Sequence, residues 1–177
     1  MIIIALAGRI GCGKDTFARY ISKKYGFGIL DYAQILRNRL KEEGIEINRT
    51  TLTKYRQQHG KTFLAEDAVK KILESGKERI LLTPMRYIED FEIPKKQFEK
   101  TFLVFIKASK GIRFSRLKKR ERENDPKTVE EFESQEKKEL ETFDIDKLEK
   151  MADFKINNDG DLKKACREID GIMEKIL

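Results

Sequence analysis

Short apolar runs alternate with amphipathic stretches along the whole chain. Five of these runs predict β-strands, at about residues 2–7, 26–31, 78–83, 101–106 and 152–157, and the first and fourth are the most continuously apolar. Between the runs, apolar residues recur every three or four positions, which predicts helices. Strands separated by helices are typical of right-handed parallel crossovers. We therefore expect an α/β fold in which helices cover both faces of one parallel sheet.

Signals for helix ends accompany several of the amphipathic stretches. A helix is predicted over residues 33–43, and Thr50 or Thr51 is expected to cap a short helix after it. Later in the chain, Thr128 and Glu131 have the spacing of a capping box at the start of another helix. These boundaries divide the segment after the second strand into several short helices.

A glycine-rich segment lies between the first predicted strand and the first predicted helix. It runs from Gly8 to Thr16, and its glycines and lysine have the spacing of a P-loop. Glycines in such a loop let backbone N–H groups turn toward a phosphate chain, and the helix dipole points at the same anion. We expect the phosphates to be bound by Gly8, Gly11, Cys12, Gly13, Lys14, Asp15 and Thr16, and we expect Lys14 also to act in catalysis by neutralising charge on the transferring phosphoryl group.

The residue after the loop lysine departs from the usual pattern. Asp15 stands where a serine or threonine hydroxyl normally contacts Mg²⁺. Asp15 could reach the metal through a water molecule, or the Thr16 hydroxyl could replace the missing one. Both alternatives remain open from the sequence.

Composition and charge narrow the classes of partner. The chain has 177 residues and a net charge of +7, from 38 Lys and Arg against 31 Asp and Glu. This length fits one domain, and the basic balance suits a polyphosphate ligand, although nucleic acid would also suit it. No nucleic-acid recognition module is visible, and no apolar stretch approaches membrane-spanning length. We expect a cytoplasmic protein with a small-molecule partner and leave its oligomeric state open.

Arginines beyond the loop are candidates for binding an acceptor phosphate. Phosphoryl transfer requires that donor and acceptor are held in line while negative charge is neutralised. Arg37, Arg56 and Arg86 lie beyond predicted strands or on the helices between the second and third strands. Each could contact an acceptor phosphate, or each could be a surface arginine with an ion-pair partner.

A basic helix is predicted after the fourth strand. Arg113, Arg116 and Arg120 fall on one face of it and could close over the transferring phosphates as a lid. The alternative is a basic face that only contacts solvent. The charge-rich segment 107–150 has a thin apolar stripe, which makes it the best candidate for a moving part.

Asp31 is the preferred catalytic carboxylate. It ends the second predicted strand, at the edge of a parallel sheet where ligands bind. There it could act on an acceptor hydroxyl or on the metal. It could equally cap the following helix, and the sequence does not decide between the two roles.

Several segments resemble the nucleoside-monophosphate-kinase-like P-loop proteins. The loop from Gly8 to Lys14, with Asp31 and the stretch 151–160, resembles the two ends of dephospho-CoA kinases. Residues 13–16 and 32–37 are similar to phage-type deoxynucleoside monophosphate kinases. The resemblance covers nearly the whole chain, and the loop is its specific part.

The middle and C-terminal half, residues 52–153, most resembles archaeal adenylate-kinase-related proteins. The resemblance implies a three-layer P-loop NTPase sandwich, with a five-stranded parallel sheet in the order 2-3-1-4-5 and a helical lid. It also implies ATP and Mg²⁺ as cofactors. We expect one kinase-like domain over residues 1–177, with an acceptor-side helical region at about 32–76 and a lid-like region at about 110–150.

The resemblance also implies roles for individual residues. Arg86 would lie on the acceptor side, and Asn158 and Gly160 would lie beside the donor adenine. The chain departs from its relatives at the end of the third strand, where they commonly carry an aspartate and this chain carries Thr83. Either Asp15 or Asp31 replaces that carboxylate, or catalysis is slow.

These observations predict an ATP-dependent phosphotransferase that moves the γ-phosphate to a nucleoside monophosphate or a related small nucleotide. Dephospho-CoA kinase is an alternative that differs only in the acceptor. A nucleotide-binding module with little catalysis is an alternative of another class, motivated by Thr83 and Asp15.

Overall fold

Five parallel strands form one sheet in the order β2-β3-β1-β4-β5, which confirms the predicted order. The computed structural model describes residues 1–120, 122 and 125–177, so positions 121, 123 and 124 of the predicted lid-like region lie outside it. The strands are β1 (Ile2–Ala7), β2 (Gly28–Asp31), β3 (Arg79–Thr83), β4 (Thr101–Lys107) and β5 (Phe154–Asn157).

Helices connect the strands and cover both faces of the sheet. None of the helices in the described part of the chain is long and apolar enough to cross a membrane. The helices are α1 (Lys14–Tyr25), α2 (Tyr32–Glu42), α3 (Arg49–Gln58), α4 (Phe63–Glu74), α5 (Glu89–Gln97), α6 (Lys110–Arg120), α7 (Val129–Thr142), α8 (Ile145–Met151) and α9 (Leu162–Ile176).

The first strand lies at the centre of the sheet. It pairs with β3 on one side and with β4 on the other, and residues 3–7 have no exposed surface. Because a strand buried on both faces must be apolar throughout, the run at 2–7 predicts this position well. The loop that follows β1 therefore lies at the middle of the carboxyl edge of the sheet, where parallel sheets bind ligands.

Successive residues of β1 point into two separate cores. Ile3 and Ala5 pack with residues of α2 and α4, whereas Ile4 and Leu6 pack with residues of α1 and α9. Each fully buried leucine or isoleucine contributes about 1.5–3 kcal/mol relative to an exposed one. The loop therefore follows a strand whose two faces are both packed against helices, which fixes the position where the loop begins.

Several boundaries differ from the sequence-based expectation, among them the start of β2, which is Gly28 rather than residue 26. Asn48, rather than Thr50 or Thr51, caps α3, because its side chain accepts from the Thr51 amide while the Thr51 hydroxyl accepts from the Asn48 amide. The fifth strand begins only at Phe154. In contrast, the capping box of Thr128 and Glu131 at the start of α7 is confirmed.

The segment after α6 is anchored more firmly than its thin apolar stripe suggests. Phe132, Ile145 and Leu148 are completely buried. Ile145 and Leu148 belong to the short helix α8, which was not predicted from the sequence, and they pack into the core beside Ile3 and Ala5. Phe132 instead packs against Phe114 of α6, with the ring centroids 5.6 Å apart.

Candidate nucleotide-binding site

The loop between β1 and α1 turns through three glycines that have positive φ angles. These are Gly8 at 148°, Gly11 at 78° and Gly13 at 101°. Gly13 is also the residue that precedes α1, and it has no side chain to cap the helix. The positive end of the α1 dipole, at Lys14, is therefore open to an anion.

Gly11 is required by both its backbone and its surroundings. A Cβ atom at this position would lie 2.7 Å from the backbone oxygen of Arg113 and 3.1 Å from Leu117 Cγ. The Arg113 oxygen belongs to the backbone of α6, so it cannot move away without shifting that helix. The loop therefore packs directly against the first two turns of α6.

We expect Gly11→Ala to destabilise the protein by about 2–3 kcal/mol, since a left-handed non-glycine residue costs about 1–2 kcal/mol and the contact with α6 adds to it. Gly44→Ala is the matched control, because Gly44 has a φ of 69° and a Cβ there would meet nothing within 4 Å. Urea unfolding of both variants measures the difference. Equal losses in the two variants would show that α6 does not constrain the loop.

Lys14 folds back onto its own loop. Its Nζ donates to the backbone oxygens of Gly8 at 2.5 Å and of Arg9 at 3.1 Å, and it lies 3.6 Å from the Cys12 sulfur. Only 9% of Lys14 is exposed, and Cys12 is buried beneath the loop. The loop therefore holds a positive charge at its centre.

Two glutamates of α7 reach this loop, and neither was predicted from the sequence. Glu139 accepts a hydrogen bond from the Ile10 amide at 3.3 Å through Oε2, and its Oε1 pairs with Arg86. Glu136 Oε1 forms an ion pair with Arg113 Nη1 at 2.6 Å, without the geometry of a hydrogen bond. Both glutamates are buried. The signal that could have indicated their burial is their spacing, because positions 132, 136 and 139 share one face of α7.

The charges around Glu139 keep it ionised. Burial alone would raise the pKa of this carboxyl group. The positive charges of Arg86 and Lys14, together with the hydrogen bonds from Arg86 and from the Ile10 amide, outweigh burial and hold the pKa below its ordinary value. Glu139 is therefore an anion that pairs with Arg86, a predicted acceptor-side residue, under the influence of the Lys14 charge.

Two of the three predicted lid arginines contact the loop itself. Arg113 Nη1 donates to the backbone oxygen of Ile10 at 3.3 Å, and Arg116 Nη1 donates to that of Cys12 at 3.4 Å. Arg116 also donates to the backbone oxygen of Asn158 at 2.8 Å. The hydrogen bonds of these two guanidinium groups link the loop to α6 and to the residues after β5.

Arg120, the third predicted lid arginine, has a different environment. Its guanidinium pairs with Asp125, and this pairing lowers the pKa of the aspartate. The charge of Asp15, in the first turn of α1, also acts on Arg120. Within the described part of the chain no hydrogen bond or ion pair joins Arg120 to the loop, so its lid role stays a prediction.

The three predicted acceptor-side arginines lie in three different environments. Arg56 is 5% exposed, pairs with the fully buried Asp90 and stacks over the Tyr87 ring at 4.7 Å. Arg86 pairs with Glu139, as described above. The Arg37 side chain makes no hydrogen bond or ion pair with any residue that the structure describes. Arg56 is therefore engaged in a buried ion pair of the core, whereas the Arg37 guanidinium group is available to a ligand.

Asp31 performs the capping role that the sequence left open. Its Oδ1 accepts from the Ala33 amide at 2.7 Å and from the Gln34 amide at 3.2 Å. It is paired in register with Thr83, at the same edge of the sheet as the loop. The Thr83 hydroxyl is buried and has no hydrogen-bond partner among the residues that the structure describes. The catalytic role of Asp31 stays a prediction, with Oδ2 as the oxygen left for it.

The residues predicted to hold metal and adenine lie on two sides of the loop. Asp15 and Thr16 are in the first turn of α1, and their side chains make no hydrogen bond with the described residues. Asn158 Nδ2 donates to the Cys12 backbone oxygen at 2.8 Å, while its Oδ1 is buried and lacks a partner in the described part of the chain. Gly160 is exposed nearby. Among the described residues, no group of three His, Cys, Asp or Glu side chains could hold a metal ion.

The central strand, the glycine loop with its buried lysine and the strand order define a P-loop protein with a kinase-like sheet. Solved structures show the same fold. TT1252 from Thermus thermophilus is 18% identical, with a TM-score of 0.64, over 99% of this chain and 98% of that one. Shikimate kinase from Aquifex aeolicus is 19% identical, with a TM-score of 0.62, over 98% and 96% of the two chains.

Sequence comparison gives the family. A family model described as an AAA domain matches residues 7–133. The UPF0200 protein of Methanothermobacter thermautotrophicus is 30% identical over 99% of this chain and 91% of that protein. The UPF0200 protein of Pyrococcus abyssi is 32% identical over 99% and 97%. The chain therefore belongs to the AAA-domain family and to the UPF0200 proteins.

Proposed function

We propose that the protein is an ATP-dependent phosphotransferase that moves the γ-phosphate to a nucleoside monophosphate or a related small nucleotide. One observation supports the proposal: the phosphate loop and Arg86, the predicted acceptor-side arginine, together contact an anion, which in this structure is the carboxylate of Glu139. The Ile10 amide donates to this carboxylate, Arg86 pairs with it, and the charge of Lys14 acts on it. A phosphoryl group passing from donor to acceptor needs cations in this arrangement.

The described residues have separate roles in this proposal. Lys14 and the loop amides bind the phosphates of the donor, and Arg86 binds the transferring or acceptor phosphate. Arg37, whose side chain is free of ion pairs with described residues, is the second acceptor-side candidate. Arg113 and Arg116 are positioning residues, because they hold the carbonyl groups of the loop.

The family implies Mg²⁺, and the oxygen ligands present suit it. Mg²⁺ is usually bound by one or two protein oxygens together with substrate phosphates, so a cluster of three side chains is not needed. Asp15 and Thr16 offer a carboxylate and a hydroxyl in the first turn of α1. When bound there, the ion would neutralise charge on the phosphates.

A second candidate function is a nucleotide-binding module with little catalysis. It is favoured by the end of β3, where Thr83 offers a buried hydroxyl instead of a carboxylate. Asp31, its neighbour in register, uses one carboxylate oxygen to cap α2. Catalysis then depends on Asp15 or on the remaining oxygen of Asp31.

The experiment is an acceptor panel with purified protein, ATP and Mg²⁺, in which ADP formation is measured. The acceptors are nucleoside monophosphates and dephospho-CoA, with shikimate and gluconate added because structurally similar proteins are named as kinases of these compounds. We expect ADP formation with a nucleotide, above that of a Lys14→Ala variant. Tight ATP binding without product for any acceptor would support the binding module instead. Absence of both binding and product would exclude both functions.

A further inference from the structure

We propose that Glu139 is an internal competitor of the nucleotide: its carboxylate occupies a phosphate position of the loop, and α7 must release it before a nucleotide can bind. The inference rests on the proposed function, because it assigns the same loop to the phosphates of a nucleotide. It adds a regulation of that site by a segment of the chain itself.

The contacts of Glu139 are those that a phosphate oxygen would make. One oxygen accepts a hydrogen bond from a loop amide, that of Ile10, at 3.3 Å. The other oxygen pairs with Arg86, and the charge of Lys14 also acts on the carboxylate. A backbone amide, a lysine and an arginine around one anion form the usual environment of a bound phosphate.

Two further acidic residues, one in α7 and one in α8, form ion pairs beside the loop. Glu136 pairs with Arg113, and Asp146 of α8 pairs with Arg9 of the loop at 2.8 Å. These contacts are ionic and lie around the mouth of the phosphate loop. These ion pairs hold the segment α7–α8 beside the loop, which keeps the Glu139 carboxylate at the Ile10 amide and Arg86.

A carboxylate and a phosphate cannot share this position. Two like charges held this close repel each other strongly in a site that is shielded from water. A nucleotide must therefore displace Glu139 and take over Lys14 and Arg86.

The test compares ATP binding to Glu139→Gln and Glu141→Gln by calorimetry, with and without Mg²⁺. Both substitutions remove one negative charge from α7, but Glu141 is exposed and pairs only weakly with Lys137 at 3.9 Å. We expect Glu139→Gln to bind ATP about tenfold more tightly than wild type, as expected for loss of a competing charged hydrogen bond. Glu141→Gln should stay within about twofold.

A measurement on the wild-type protein covers the case in which Glu139→Gln fails to fold. Hydrogen exchange of the amides of α7 should become faster when ATP saturates the protein, because α7 loses its contacts with the loop. Unchanged or slower exchange in α7, or equal ATP affinities of the two glutamine variants, would overturn the inference.

The two proposals fail in different ways. Turnover by the wild-type protein with equal affinities of Glu139→Gln and Glu141→Gln would overturn the internal competitor alone. Tighter ATP binding by Glu139→Gln without turnover for any acceptor would support the competitor and overturn the transferase.

Discussion

Lys14→Ala is expected to lower kcat/KM, for the acceptor that the panel identifies, by about 10²- to 10³-fold, which is the usual effect of removing one preorganised charged donor. The substitution removes the positive charge held at the centre of the loop by the backbone oxygens of Gly8 and Arg9. ATP affinity should fall as well, because the same group faces the phosphates before and during transfer. ADP formation and calorimetry measure the two effects separately.

Lys23→Ala is the matched control for this prediction. Lys23 lies on the same helix and carries the same charge, but it is exposed and makes no contact with the loop. It should retain wild-type turnover. Comparable losses in both variants would mean that net charge, rather than the position of Lys14, determines activity, and thermal unfolding of each variant would reveal a loss of fold.

Asp90→Asn is expected to destabilise the protein by about 3–5 kcal/mol, the usual result of leaving one partner of a buried ion pair uncompensated. Asp90 has no exposed surface, and its partner Arg56 is 5% exposed. Asp90 also accepts from the amides of Arg86 and Tyr87. The substitution keeps the shape of the side chain but leaves the Arg56 charge buried. Urea unfolding gives the loss in free energy.

Two further variants make the Asp90 prediction specific to the buried pair. Asp67→Asn breaks the ion pair with Arg39, whose side chain is 45% exposed, and should cost about 0–1 kcal/mol. Arg56→Met combined with Asp90→Asn should recover part of the loss, because no buried charge is then unpaired. A loss in Asp90→Asn no larger than in Asp67→Asn would contradict the prediction.

The sheet and the loop could be predicted because their signals are local. A fully apolar run at residues 2–7 is typical of a strand buried on both faces, and the glycine spacing after it needs no distant residue to be recognised. The capping box of Thr128 and Glu131 is also recognisable from residues that are close in the sequence. In contrast, the sequence does not single out Asn48 as a cap, because two threonines beside it offer the same capping chemistry.

The rest of the site depends on contacts between distant residues. Arg56 and Asp90 are 34 positions apart, and nothing near Arg56 distinguishes a core ion pair from a phosphate ligand. Ile10 and Glu139 are 129 positions apart. On a helix with few apolar residues, a glutamate is expected to face solvent, so the role of Glu139 emerges only when the tertiary fold places α7 on the loop.

The close packing of Gly11 against α6 limits how the site can open. The backbone oxygen of Arg113 and the side chain of Leu117 leave no room for a side chain between the loop and the helix. Arg113 and Arg116 also donate hydrogen bonds to carbonyl oxygens of the loop. The first two turns of α6 therefore stay with the loop in any rearrangement that preserves these contacts. If the loop binds a nucleotide as proposed, these turns form part of the binding site, and the predicted lid begins only after Leu117.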